Sequence, residues 1–202
     1  PEDYAENMRK MKAAPQGFSI IKQGIGFHSR MPYEVPDFFY GEAQVPPDYH
    51  SGERPAVAPH PNRGPLTEKG LKHVVACVEA MKDVLGDDVG LALHCGTAWT
   101  GPDAIRLAKA LEHLHIMWIE DTITGDYTPY VMADVYRELT MSTSTPIHTG
   151  EQIYLREGFR ELIESHAVNV IGPDPEDVGG IAELKWIAEY ADLHGILMAP
   201  HG

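Results

Sequence analysis

Acids and histidines recur in this sequence at one kind of place, the end of a short apolar run. Residues 89–94 (VGLALH) end at His94, residues 116–121 (IMWIED) at Glu120 and Asp121, and residues 146–151 (PIHTGE) at Glu151. Residues 168–174 (VNVIGPD) end at Asp174, and residues 196–202 (ILMAPHG) carry His201. His94, Glu120 and Glu151 close three successive runs. Oxygen-rich strand ends suit a hard cation such as Mg²⁺, which prefers carboxylates and water. One Glu in such a place is more often a helix cap or a solvated group; three at consecutive strand ends are harder to explain that way. Asp174 and His201 close adjacent units and can reach one another. A carboxylate on an imidazole fixes its tautomer and raises its basicity, which makes a general base near neutral pH; the plainer alternative is a histidine capping the rim. Lys22, near the end of an earlier run (residues 17–26), is an electrophile or base if it faces the same site, and a snorkelling surface lysine otherwise.

Strand alternation sorts the neighbours. Asp121 should point away from Glu120, which gives it a supporting role, and His148 should face away from Glu151, which gives it no metal role. His28, His50 and His60 lie in or beside a Pro-, Tyr- and His-rich stretch and read as surface residues, and Trp99 and Trp118 as packing residues.

The elements that must position these groups alternate. Helical patterns cover residues 2–14, 67–85, 101–114, 129–140, 157–166 and 180–194, and strands cover residues 17–26, 89–94, 116–120, 146–149, 168–171 and 196–199. The face of residues 67–85 is the clearest, with Leu71, Val74, Val75, Val78, Met81 and Val84 at helical spacing. Short apolar strands alternating with helices indicate right-handed parallel βαβ units. In a parallel barrel the carboxyl ends of such strands converge on one face. Residues 28–65 show neither period, and a stretch that long is a functional cover or an insertion; Tyr33, Phe38, Phe39, Tyr40 and Tyr49 favour an ordered cover. Six strands are too few for an eight-stranded barrel. The chain is therefore expected to be one partial barrel domain over residues 1–202, lacking its last strand and an N-terminal cap.

Composition narrows the partners. A formal net charge of −14 disfavours nucleic acid and anionic membrane. No run approaches the ~18 apolar residues that suggest a spanning helix. Two cysteines, Cys77 and Cys95, give no disulfide framework, so a reducing, cytoplasmic setting is expected.

Taken together, residues 17–26, the strand-end series, and the pairs Gly150 and Glu151, Pro173 and Asp174, Gly179 and Gly180, and Pro200 and His201 resemble the mandelate racemase-like branch of the enolase superfamily. The resemblance runs over roughly residues 16–202, interrupted by the long loop. It implies a modified (β/α)₈-type barrel with an α+β cap, and a Mg²⁺ held by three strand-end acids, whose places here are His94, Glu120 and Glu151. It implies removal of the proton α to a carboxylate, with a metal-stabilised enediolate, and His201 oriented by Asp174 as base or acid. Lys22 matches the first lysine of the family's Lys-x-Lys pair; the second falls at Gly24, so a base on the opposite face is missing there. That favours dehydration of a sugar acid to a 2-keto-3-deoxy acid over racemisation or epimerisation. The histidine that some such dehydratases carry beyond the third-strand ligand is replaced by Gly96. His94 itself departs from the pattern: an imidazole brings no charge and favours Mn²⁺ or another divalent ion over Mg²⁺. Two alternatives stay open, an epimerase and a carboxylate-binding homologue without turnover. The expected partners are a small-molecule carboxylate and further copies of the chain in a homo-oligomer.

Overall fold

A computed structural model describes residues 1–26, 29–40, 65–96, 98–123 and 131–202. Its element order is α1 (Glu2–Lys12), β1 (Ile20–Gly24), α2 (Met31–Glu34), α3 (Glu68–Leu85), β2 (Gly90–His94), α4 (Gly101–Ala110), β3 (Trp118–Glu120), α5 (Ala133–Ser142), β4 (Ile147–Thr149), α6 (Leu155–Glu164), β5 (Val170–Ile171), α7 (Ile181–Leu193) and β6 (Leu197–Met198). All six strands pair in parallel in the order β1-β2-β3-β4-β5-β6. Each strand lies beside its neighbour in sequence, with no reversal of direction across the sheet. That is the progression of a barrel wall, not of a doubly wound sheet with a switch point.

The pleat separates two functions. Ile21, Leu91, Leu93, Ile119, Ile147 and Ile171 lie on one face, fully or almost fully buried in a core shared with Val74, Val78 and Met81 of α3, Leu107 of α4, Leu139 of α5 and Phe159 and Leu162 of α6. Burying such a side chain is worth about 1.5–3 kcal/mol, so this row anchors the wall to its helices. The other face carries Lys22, His94, Glu120 and His148. Register aligns these groups: Gly24 pairs with His94, His94 with Glu120, and Glu120 with His148.

Helix starts follow local chemistry. Thr67 caps α3, its hydroxyl accepting from Gly70 N at 2.9 Å, and Thr100 caps α4 ahead of Pro102. α5 runs Ala133–Ser142, later than the 129–140 expected; Pro129 lies outside the described residues. Among its described residues the long stretch holds the four-residue α2, which its irregular periodicity hid. Phe38 and Phe39 pack near Trp99, with ring centroids 6.2 and 6.1 Å away. Tyr40 N donates to Pro65 O at 2.9 Å and Thr67 N to Phe38 O at 3.1 Å, so the two stems of the stretch are tied together. Of the expected cover over residues 28–65, residues 41–64, with Tyr49, His50 and His60, lie outside the described residues, as does His28.

Candidate active site

Glu120 is the centre of the inner row. It ends β3 with its side chain 1% exposed, and its two oxygens serve different neighbours. Oε1 takes the Lys22 ammonium at 2.7 Å and lies 3.2 Å from His94 Nδ1. Oε2 accepts the Trp118 indole N–H at 2.9 Å. Burial alone would raise this carboxyl, but the His94 hydrogen bond and the attraction of His148 and Lys22 outweigh it and hold Glu120 well below the usual carboxylate range.

His148 stands against the same group. Its ring stacks on Trp118 at 5.3 Å, Nε2 donates to Ala199 O at 3.0 Å, and Nδ1 lies 3.6 Å from Glu120 Oε2. Burial keeps His148 below the ordinary histidine value, so at neutral pH it brings shape and no charge. Gly172 makes room for it: a Cβ there would overlap the His148 ring and come within 2.9 Å of Ala199 O.

Asp121 corrects the alternation argument. Its φ is +49°, in the left-handed region, so the chain leaves the strand at this residue and the two-residue period no longer applies. The carboxylate turns back to the site, fully buried, and accepts the Thr149 hydroxyl at 2.6 Å. Gly150 breaks the period after β4 in the same way, with φ +138°, before Glu151. One donor atom each from His94, Glu120, Asp121 and Glu151 lies within 4.8 Å of all the others. An octahedral cation with bonds of about 2.1 Å spaces its donors about 3.0 to 4.2 Å apart, so small inward shifts close this set on one ion. Three buried carboxylates and one imidazole fit a divalent cation. His94, Glu120 and Glu151 thus lie together, and Asp121, which strand alternation hid, lies with them.

The dyad stands beside them. His201 Nδ1 is 2.8 Å from Asp174 Oδ2, and its Nε2 is 3.4 Å from Glu151 Oε2. The His201 hydrogen bond lowers the Asp174 carboxyl, with help from the Glu176 and Asp177 backbone, so Asp174 is ionised at neutral pH and Nδ1 carries the proton. Nε2 then faces the carboxylate cluster. Lys22, by contrast, is committed to Glu120. Trp99 is core, fully buried, and Cys95 is buried with its thiol pushed up by desolvation.

Residues 3–202 match the family described as enolase C-terminal domain-like. The chain belongs to that family. Its kinship with the mandelate racemase-like branch of the enolase superfamily, and the partial (β/α)₈-type barrel, are as the residues suggested. D-xylonate dehydratase of Haloferax volcanii is 39% identical over 136 residues, 67% of this chain and 32% of that protein. L-rhamnonate dehydratase of Saccharopolyspora erythraea is 34% identical over 135 residues, 66% of this chain and 34% of that protein. A crystal structure of a mandelate racemase/muconate lactonizing enzyme-like protein from Rubrobacter xylanophilus superposes with a TM-score of 0.74 at 29% identity, across 100% of this chain and 43% of that one. The chain spans about a third of the length of the curated relatives it matches. Among the described residues, no helix of this enolase C-terminal domain-like chain is long and apolar enough to cross a membrane.

Proposed function

We propose that this chain forms the barrel part of a metal-dependent sugar-acid dehydratase, a carbon–oxygen lyase. The observation that carries the reading is the placement of His201: Asp174 holds Nδ1 at 2.8 Å while Nε2 stands 3.4 Å from Glu151, beside the four-residue donor cluster. The likeness to dehydratases of xylonate and rhamnonate supports the substrate class.

A divalent cation, Mg²⁺ or Mn²⁺, would be held by Glu120, Asp121 and Glu151 with His94, and when bound it supplies positive charge against the negative charge that grows on the substrate carboxylate. The chain's residues do the rest. His201 Nε2 receives the α-proton, and Asp174 balances the imidazolium that results. The C–H bond at the α-carbon and the C–O bond at the β-carbon break, a C=C bond forms, and His201 returns its proton to the departing hydroxide as water. The enol left behind ketonises to the 2-keto-3-deoxy acid. The Lys22 ammonium and the Trp118 N–H fix the Glu120 carboxylate, so it need not reorganise during the reaction. Epimerisation needs a second base opposite His201; the engagement of Lys22 with Glu120 favours the lyase. The small-molecule carboxylate partner, the homo-oligomer and a cytoplasmic setting belong to the same proposal, as does a full enzyme in which a cap completes this partial barrel.

The test is incubation of xylonate, rhamnonate and mannonate with the protein and Mg²⁺ or Mn²⁺ in D₂O. A 2-keto-3-deoxy acid supports dehydration. Exchange with inversion at the α-carbon would instead identify an epimerase, and binding with neither product nor exchange would identify a carboxylate-binding homologue.

A further inference from the structure

A second set of metal-competent side chains lies away from the strand ends, where α2 meets α3. His73 and Cys77 are four residues apart on α3, so one face of that helix carries both. Glu34 ends α2 and reaches across to them. His73 Nε2 is 2.7 Å from Glu34 Oε2 and 3.7 Å from Cys77 Sγ. One donor atom from each of the three lies within 4.8 Å of the others. Burial is graded across the set: Cys77 is fully buried, the His73 side chain is 12% exposed and that of Glu34 is 29% exposed. Exposure therefore falls from the carboxylate to the thiol.

We propose that Glu34, His73 and Cys77 form a Zn²⁺-type site that ties α2 to α3, separate from the strand-end centre. The donor chemistry separates the two. One sulfur, one nitrogen and one oxygen make a borderline-soft set that suits Zn²⁺, leaving a fourth tetrahedral position for water. Mg²⁺ takes oxygen donors and is poorly served by a thiolate. Zinc bonds of about 2.0 to 2.3 Å in tetrahedral array put the donors about 3.3 to 3.6 Å apart. The His73–Cys77 distance of 3.7 Å already fits. The Glu34–His73 pair must open by about half an ångström from its hydrogen bond to reach the same spacing. Glu34, at the end of a four-residue helix and partly exposed, can make that move. Binding uses the thiolate of Cys77 and the Nε2 lone pair of His73, so the thiol proton leaves to solvent and the imidazole keeps its proton on Nδ1.

The experiment is a Co²⁺ titration of the whole chain followed by thiolate-to-cobalt charge-transfer absorption, with Zn²⁺ as competitor. The proposal expects the band to appear, to be displaced by Zn²⁺, to be lost in Cys77→Ser and to persist in Cys95→Ser and in Glu151→Gln. Glu34→Gln should weaken Co²⁺ binding about tenfold or more, since a direct ligand should cost at least what an outer partner does. A missing band in the wild type, a band unchanged by Cys77→Ser, or one lost with Cys95→Ser would overturn the site. Circular dichroism checks the fold of each variant. If Cys77→Ser fails to fold, Glu34→Gln decides, and unchanged affinity there refutes the proposal.

Discussion

Replacing Lys22 by Met keeps the length and most of the volume of the side chain and removes one charge from a buried carboxylate. Lys22 is 2.7 Å from Glu120 Oε1, and Glu120 is 1% exposed. Removing one partner of a fully buried pair costs about 3–5 kcal/mol, because the other charge stays buried. Two facts reduce that figure. Lys22 is 38% exposed, so solvent screens part of its attraction, and Glu120 keeps its His94 and Trp118 contacts. A cost of about 2 kcal/mol remains, which for a domain of about 200 residues lowers Tm by about 4–8 °C. Thermal unfolding at pH 7, with wild type and Lys22→Met side by side, reads it directly. The gap should close as the pH falls far enough to protonate Glu120 in both proteins, and millimolar Mg²⁺ should narrow it at pH 7 by supplying positive charge to the same carboxylate. A Tm change below about 1 °C at pH 7 would show that the pair does not hold Glu120 in place, and the electrostatic reading of the site would fail.

Other consequences are as direct. Asp121→Asn should weaken Mn²⁺ binding about 10- to 100-fold by calorimetry, and His94→Asp should strengthen Mg²⁺ binding by adding the charge that imidazole lacks. Glu120 has a folded pKa below its ordinary value of 4.5, so its stabilising contribution is complete above that value and is lost as pH falls toward the depressed one. The acid limb of wild-type unfolding should therefore flatten in Glu120→Gln, measured by urea midpoints across pH. Gly172→Ala should cost about 1–3 kcal/mol by driving a methyl into the His148 ring and the Ala199 carbonyl, and pairing it with His148→Ala should cost less than the sum of the two changes. His201→Asn should abolish turnover on whichever sugar acid is the substrate while leaving Mn²⁺ affinity within about twofold, because His201 is outside the donor cluster.

The strand ends were legible because each is a short apolar run stopped by polar or Gly/Pro residues. The run of residues 89–94 became β2 at Gly90–His94, and that of residues 116–120 became β3 at Trp118–Glu120. Parallel order followed from the alternation with helices, and the Asp174–His201 hydrogen bond from adjacency of their units. Asp121 was hidden because side-chain alternation holds only while the backbone stays extended, and a φ of +49° leaves no compositional mark in an Asp. The contact of His148 with Glu120 was hidden for a different reason. It depends on the register between β3 and β4 and on space left by Gly172, both of which are long-range facts. α2 escaped notice because four residues cannot show a helical period. Lys22 was read as a possible base, and its engagement with Glu120 required knowing how far across the sheet the side chain reaches.

Anomalous scattering from crystals soaked in Mn²⁺ shows whether His94, Glu120, Asp121 and Glu151 close on one divalent cation beside His201. One strong peak is expected within about 2.0–2.3 Å of an atom from at least Glu120, Asp121 and Glu151. A well-ordered site with no peak there, and the Lys22–Glu120 pair unchanged at saturating Mn²⁺, would contradict it.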